Sequence, residues 1–279
     1  MLKDKNIAFL GAGSMAEAMI SGIVCSNKVP PSQITVSNHR NKERLKTLKR
    51  KYNIQAVSQE QLQIVQHDII ILAMKPQNAE DAIQSIAPLL QSDQLILSVI
   101  AGLQTSYIEG LLPSGQQVIR VMPNTSSMIG ESATALSSGK HTTQQNMELA
   151  KEVFQCIGGV FIIAENQMDI FTGISGSGPA YLYYLMEHME KVGIGAGLPE
   201  KVTREIIAQT FLGAAKMVQE QELTPTILRK NVTSPNGTTA AGLQALSENG
   251  GGKAISEAIK QAAQRSKLMS QQLLEKTIV

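Results

Sequence analysis

The chain has 279 residues, enough for roughly two domains, with 25 Lys and Arg against 23 Asp and Glu and a formal net charge of +2. Hydrophobic residues at 43% and charged residues at 17% exclude a disordered chain. The near-neutral charge, with aromatic residues at 4% and no Trp, leaves neither an electrostatic nor a stacking basis for a nucleic-acid binder.

The two cysteines, Cys25 and Cys156, form no disulfide framework, which fits a reducing compartment. His39, His67, His141 and His188 lie too far apart in sequence to suggest a metal site. The opening MLKDKNIAFLGAGS runs into glycines before it could form the core of a signal peptide. The longest wholly apolar run, Ile69 to Met74, is far short of the ~20 residues that span a bilayer. A soluble cytoplasmic protein is expected, with no membrane and no nucleic-acid partner.

In chain order, Asn6–Leu10 reads as a strand and Ser14–Val24 as a helix, with Met15, Ala18, Met19, Gly22 and Ile23 at helical spacing. Gln33–Ser37 is a second strand and Lys42–Lys51 a charged, exposed helix. Asp68–Met74 shows no polar alternation, the pattern of a parallel strand buried on both faces. Ala79–Leu90 is a helix, and Gln94–Val99 and Gln116–Met122 are strands. Ala133–Ser137 and Val160–Ile163 flank a helix near Gln144–Cys156 and are expected to extend the same sheet. This alternation predicts a doubly wound, Rossmann-type α/β domain over residues 1–164.

From residue 165 to 279 strand signals give way to helical ones. Pro179 and Pro199 are expected at first helical positions, where the missing N–H costs nothing. One helix carries Val202, Ile206, Ile207, Phe211 and Val218, and the last, from about Lys253, carries a broad stripe of small residues. Such surfaces pack on themselves, on a second subunit, or on both.

Gly11-Ala12-Gly13-Ser14-Met15-Ala16 joins the first strand to the first helix, the dinucleotide fingerprint in its G-x-G-x-x-A form. Gly11 permits the turn, Gly13 lets a pyrophosphate approach the backbone, and Ala16 lets helix and strand pack closely. The free N–H groups at the helix start face the anion. The second strand ends in Val36-Ser37-Asn38-His39-Arg40-Asn41 without the acid that usually binds the ribose hydroxyls of NAD. Asn38 and Arg40 suit a 2′-phosphate, so NADPH is favoured over NADH, unless Arg40 merely begins an exposed basic helix. Met74-Lys75-Pro76 and Ala101-Gly102 follow two further strands, where open α/β sheets bind ligands. Spacing alone leaves Lys75 open between a cofactor contact and an ordinary surface lysine.

Five segments then stand in order: Gly11–Ala18 (GAGSMAEA), Ala73–Pro76 (AMKP), Met122–Thr125 (MPNT), Ser175–Tyr181 (SGSGPAY) and Val232–Leu243 (VTSPNGTTAAGL). Together they closely resemble pyrroline-5-carboxylate reductase, over nearly the whole chain. The resemblance implies reduction of 1-pyrroline-5-carboxylate to L-proline, the last step of proline biosynthesis, with NADPH or NADH. It implies a Rossmann-type domain followed by an all-helical dimerisation and substrate-binding domain. The subunits would interlock as a homodimer, and the dimers would assemble into larger rings such as a decamer.

By the same resemblance, Gly11, Ala12, Gly13, Ser14 and Met15 hold the pyrophosphate, and Asn38 and Arg40 sit near the adenosine ribose. Ala73, Met74, Lys75, Pro76, Ala101, Gly102 and Asn231 line the cofactor. Ser234, Gly237, Thr238 and Thr239 hold the substrate, with the Thr239 hydroxyl nearest the ring nitrogen. One departure is Glu60, where many members carry an asparagine, which implies an altered adenosine contact.

The late segment supports this chemistry on its own terms. Pro235 and Asn236-Gly237 form a turn, and Thr238 or Thr239 starts a helix whose free N–H groups suit a carboxylate. Read without the resemblance, the same residues also describe a plain capped helix. Ser175–Pro179 is a second Gly/Ser turn, read as close packing near the active site rather than direct contact, and Glu165 as a border of the substrate pocket. Two other readings compete. A 3-hydroxyacid or other imine oxidoreductase would need a proton-transfer lysine, for which Lys191 and Lys201 lack the Gly-rich setting. A non-catalytic NADPH-binding regulator has no use for a carboxylate cradle.

Overall fold

Short runs of Ile, Leu, Val and Ala become the strands of one sheet because their side chains are apolar toward both faces. The structure, a computed structural model, describes residues 2–275. The strands are β1 (Ile7–Leu10), β2 (Ile34–Asn38), β3 (Gln55–Ser58), β4 (Ile69–Leu72), β5 (Leu95–Ser98), β6 (Gln117–Met122), β7 (Ser132–Ser138) and β8 (Gly158–Ile162). They lie in the order β3-β2-β1-β4-β5-β6-β7-β8. All neighbours are parallel except β6 and β7. The two expected late strands do extend the sheet, the first of them by reversing direction.

The helices of this part are α1 (Ser14–Cys25), α2 (Lys42–Tyr52), α3 (Ala79–Ile86), α4 (Thr105–Leu111) and α5 (Gln144–Phe154). Alternate strand residues serve opposite layers. Ile7, Phe9, Ile69 and Ile71 face Met19 and Ile23 of α1, Leu48 of α2 and Phe154 of α5. Ala8, Leu10, Ile70 and Leu72 face Ile83 of α3 and Ile108 of α4. Ile69, Ile70 and Ile71 are fully buried. Each such side chain contributes about 1.5–3 kcal/mol by leaving water.

Sequence reading misses β3 and α4. The strand is short and polar at its edge, and the helix has seven residues with Gly110 inside it. The expected Asp68–Met74 strand narrows to Ile69–Leu72. Asp68 turns its carboxylate to the Asn6 N–H at 2.8 Å and to Lys5 Nζ at 2.7 Å. Burial pushes the Asp68 carboxyl up, but Lys5 and the Asn6 N–H outweigh it and hold the group below its usual value.

The helical part comprises α6 (Met168–Phe171), α7 (Gly178–Gly195), α8 (Glu200–Glu220), α9 (Pro225–Asn231), α10 (Thr238–Glu248) and α11 (Gly251–Glu275). The chain divides into two compact units, one reaching to Ser177 and resuming at Gln261, the other spanning Gly178–Lys260. Within the second, α7 and α8 pack as a hairpin. The Thr203 side chain lies against Gly193, and Arg204 pairs with Glu190 and Glu200, each at 2.7 Å. Pro199 stands at the N-cap of α8 rather than its first turn, held extended at ψ 136°. Pro179 is the second residue of α7. Among the described residues, no helix is long and apolar enough to cross a membrane.

The expected Gly/Ser turn at Ser175–Pro179 is replaced by helix. Thr172–Gly176 forms a single widened π turn between α6 and α7, closed by Ser177 N–H on Thr172 C=O at 2.9 Å. Side-chain bonds support the widening. Ser175 Oγ donates to the Ala133 carbonyl at 3.0 Å, and Asn124 Nδ2 donates to Ser175 Oγ at 3.1 Å.

Candidate active site

Four turns share the carboxyl edge of the parallel strands: those after β1, β2, β4 and β5. Strand order reverses between β1 and β4, and a crevice outside their carboxyl ends is where open α/β sheets bind ligands. Gly11 opens the first turn with φ +114°, and a Cβ there would overlap the Ala73 carbonyl at the end of β4. Only glycine meets both conditions. Ala73 N–H donates to Leu10 C=O at 2.8 Å, and Gly11 N–H to Ser37 C=O at 3.0 Å, so the three strand ends are tied together.

Gly13 differs from Gly11. It is exposed, and a Cβ there would meet nothing within 4 Å. It N-caps α1 with no side-chain bond to the helix, so the first N–H groups of α1 remain open to an outside acceptor. An open cradle of backbone donors at the positive end of a 12-residue helix fits a pyrophosphate in chemistry and room. Ala12 and Ala16 are buried beneath it.

The β2–α2 turn is built by Asn38, whose Oδ1 accepts from Arg40 N–H at 3.0 Å and Asn41 N–H at 3.1 Å. That leaves the Asn38 amide N–H groups and the exposed Arg40 guanidinium as the donors of the turn. Asn41 caps α2 by accepting from Arg44 N–H at 2.9 Å. Glu60 lies in a 3₁₀ turn after β3, exposed. Its carboxyl is held below the usual range first by Ser58 and further by the charges of His39 and Lys42. An acid therefore does border the β2–α2 turn, contributed from outside the connection where sequence spacing looks for it.

Ala73 and Met74 are half-buried, Lys75 is exposed, and Pro76 begins a 3₁₀ turn leading to α3. After β5, Ala101 is exposed while Gly102 is buried with φ +82°. The Thr105 N–H and hydroxyl just beyond donate to Glu165 at 2.8 and 2.6 Å. Glu165 also faces Arg120 of β6 at 3.4 Å. Arg120 is 2% exposed, and its Nε and Nη2 have no hydrogen-bond partner among the described residues. The Glu165 carboxylate is thus engaged in holding α4 to β6, a role no local sequence signal reveals. Asn124 of the MPNT segment, bonded to Ser175 of SGSG, brings two of the five recognisable segments together.

The last segment belongs to the other compact unit. Asn236 adopts φ +59° and Gly237 N–H donates to Ser234 C=O at 3.0 Å, a turn that sets Gly237 as the N-cap of α10. No side chain caps this end, so the N–H groups of Thr238 and Thr239 face outward. Ser234, Thr238, Thr239 and Asn231 are exposed. The same unit exposes large apolar side chains along two helices, among them Leu182, Leu185 and Met189 of α7 and Val202, Ile206 and Leu212 of α8. A solvent-facing apolar surface of this extent marks an association face.

Comparison with known proteins bears on both units. The family described as pyrroline-5-carboxylate reductase dimerisation matches residues 165–269, and that described as NADP oxidoreductase coenzyme F420-dependent matches residues 6–102. Pyrroline-5-carboxylate reductase 1 of Bacillus subtilis (strain 168) is 58% identical over 274 residues, covering 98% of this chain and 92% of the relative. Pyrroline-5-carboxylate reductase 2 of the same organism is 41% identical, covering 96% of each. The crystal structure of Plasmodium falciparum pyrroline carboxylate reductase with NADP bound superposes with a TM-score of 0.86 at 29% identity. That match covers 97% of this chain and all of the other.

Proposed function

The chain belongs to the pyrroline-5-carboxylate reductase family, and from that premise we propose how its residues divide the work. It is an NAD(P)H-dependent oxidoreductase that reduces 1-pyrroline-5-carboxylate to proline, and it self-associates through its helical part. The observation that carries the reading is the pair of helix starts at Gly13 and at Gly237, each N-capped by a glycine with no side-chain bond.

In this reading Gly11, Ala12, Gly13, Ser14 and Met15 hold the pyrophosphate. Asn38 and Arg40 take the adenosine end, with NADPH preferred over NADH because the Arg40 cation suits a 2′-phosphate. Ala73, Met74, Lys75, Pro76, Ala101, Gly102 and Asn231 line the rest of the cofactor. When bound, the reduced nicotinamide supplies the hydride that the ring carbon of the protonated imine accepts. The protein's part is to hold that carbon at reacting distance.

The Thr238 and Thr239 N–H groups, with the Ser234 hydroxyl, receive the substrate carboxylate. The Thr239 hydroxyl orients the ring nitrogen through a hydrogen bond. It positions more than it protonates, because an alcohol is a poor acid. Residues 1–164 form the dinucleotide domain and 165–279 the dimerisation and substrate domain, in a cytoplasmic homodimer that builds larger rings such as a decamer.

The test is to follow loss of reduced-nicotinamide absorbance with 1-pyrroline-5-carboxylate and each cofactor in turn. Turnover that is faster with NADPH supports the full reading. Faster turnover with NADH overturns the assignment of Arg40, and oxidation of 3-hydroxy acids with the oxidised cofactor, in place of reduction of the imine, overturns the assignment of the α10 cradle.

A further inference from the structure

Glu17, one turn into α1, is an unexpected neighbour for a phosphate. It lies four residues beyond Gly13, and its carboxylate would repel an anion bound at the start of the same helix. Three side chains of α2 converge on it. Lys51 Nζ approaches Glu17 Oε1 at 2.8 Å and Tyr52 Oη donates to the same oxygen at 3.0 Å, while Arg44 Nη2 donates to Oε2. These bonds, Lys51 foremost, hold the Glu17 carboxyl down at about 2 despite its partial burial, so it is ionised whenever the enzyme works.

Arg44 does something the other two do not. Its Nε donates to the Ala12 carbonyl at 3.0 Å, the middle peptide of the G-x-G turn. In a planar trans peptide the C=O and the following N–H point in opposite directions. Drawing the Ala12 carbonyl toward α2 therefore aims the Gly13 N–H the other way, into the open cradle.

We propose that Arg44 is a positioning residue for dinucleotide binding, fixing the Ala12–Gly13 peptide through its Nε and neutralising Glu17 through its Nη2. It acts on the pyrophosphate turn and not on the 2′-phosphate, so it serves NADPH and NADH alike, unlike Arg40. The Arg44 side chain is 27% exposed, and the rigid fork of its guanidinium makes both bonds at once.

The inference rests on the dinucleotide reading of the turn, which the binding isotherm of the unsubstituted protein tests separately. The experiment measures NADPH and NADH affinity by fluorescence titration for Arg44→Met, Glu17→Gln and the double variant. Amide hydrogen exchange of the peptide covering residues 11–16, without cofactor, is followed alongside. Arg44→Met is expected to weaken both cofactors by the same factor, about tenfold, the size of one charge-assisted hydrogen bond. It also speeds exchange in the turn. Glu17→Gln changes affinity less than about twofold, since its charge is already neutralised. The double variant recovers about threefold over Arg44→Met, because the carboxylate, left with Lys51 as its remaining cationic partner, is gone while the Ala12 carbonyl is still unheld.

Unchanged affinity in Arg44→Met, a loss confined to NADPH, or a double variant no better than Arg44→Met each overturns the proposal. Should Arg44→Met not fold, Arg44→Lys replaces it, keeping a cation for Glu17 without the two-pronged geometry. The expected result is then an equal but smaller loss for both cofactors, and a selective or absent loss overturns the proposal in the same way.

Discussion

The turn after β1 and the turn before α10 use the same device, a glycine N-cap with open N–H groups, in opposite settings. The first is enclosed by its own chain. Gly11 sits against Ala73, Ala12 is bonded by Arg44, and the supporting strands are fully buried. The second is exposed at Ser234, Thr238 and Thr239, within a unit that leaves Leu185 and Ile206 open to solvent. The contrast teaches that the early turn is preorganised by its own chain, whereas the late one stands on a surface with an exposed apolar face suited to association.

The largest effect should come from the enclosed side. Gly11→Ala forces a side chain into φ +114° and against a carbonyl, and should cost about 3 kcal/mol. A fall of the thermal midpoint together with lost NADPH binding would be seen; an unperturbed melt would show that the turn is less rigid than its contacts indicate. On the open side, Ile206→Glu places a charge on a face that is 51% exposed in the single chain. The variant should melt normally but dissociate, which light scattering reads, and turnover should fall with it. Retained assembly would break the comparison.

If Thr239 orients the ring as proposed, Thr239→Ala should lower kcat at least about tenfold while leaving NADPH affinity unchanged, the loss of one hydrogen bond to the reacting ring. A loss of NADPH affinity with normal kcat would move Thr239 to the cofactor side. Arg40→Ala should shift the NADPH-to-NADH affinity ratio by about tenfold, and equal losses would remove Arg40 from the 2′-phosphate.

Glu17 gives the smallest effect. Its carboxyl titrates below the unfolded value of 4.5, at about 2, so its contribution to stability is full above pH 4.5 and is lost as pH falls toward 2. Glu17→Gln should flatten that acid limb in melts recorded across the interval. An unchanged limb would show that the convergence on Glu17 adds nothing to the fold.

Much of this molecule is legible in its sequence alone. Seven of the eight strands and the G-x-G turn stand in the sequence, the central strands because burial on both faces demands unbroken apolar runs, and the turn because a pyrophosphate site demands glycine at fixed spacing. The edge strand β3 was not legible, since Gln55–Ser58 has only one strand neighbour and carries little apolar pattern. The helical nature of Thr172–Gly176 was hidden for another reason. Glycines that signal a turn locally were overridden by bonds from Ser175 to Ala133 of β7 and from Asn124 in the connection after β6, both far away in sequence.

The sequence by itself determined the layer pattern, the glycine turns at Gly11 and Gly237 and the family, all of which depend on residue type and local spacing. Only the tertiary structure decided what the charged side chains do. It set Arg44 on the Ala12 carbonyl across 32 positions, Glu165 on Thr105 across 60, and Lys51 on Glu17 across 34. A long charged side chain has no period and many rotamers, and its partner is whichever carbonyl or carboxylate the packed backbone brings within about 3 Å.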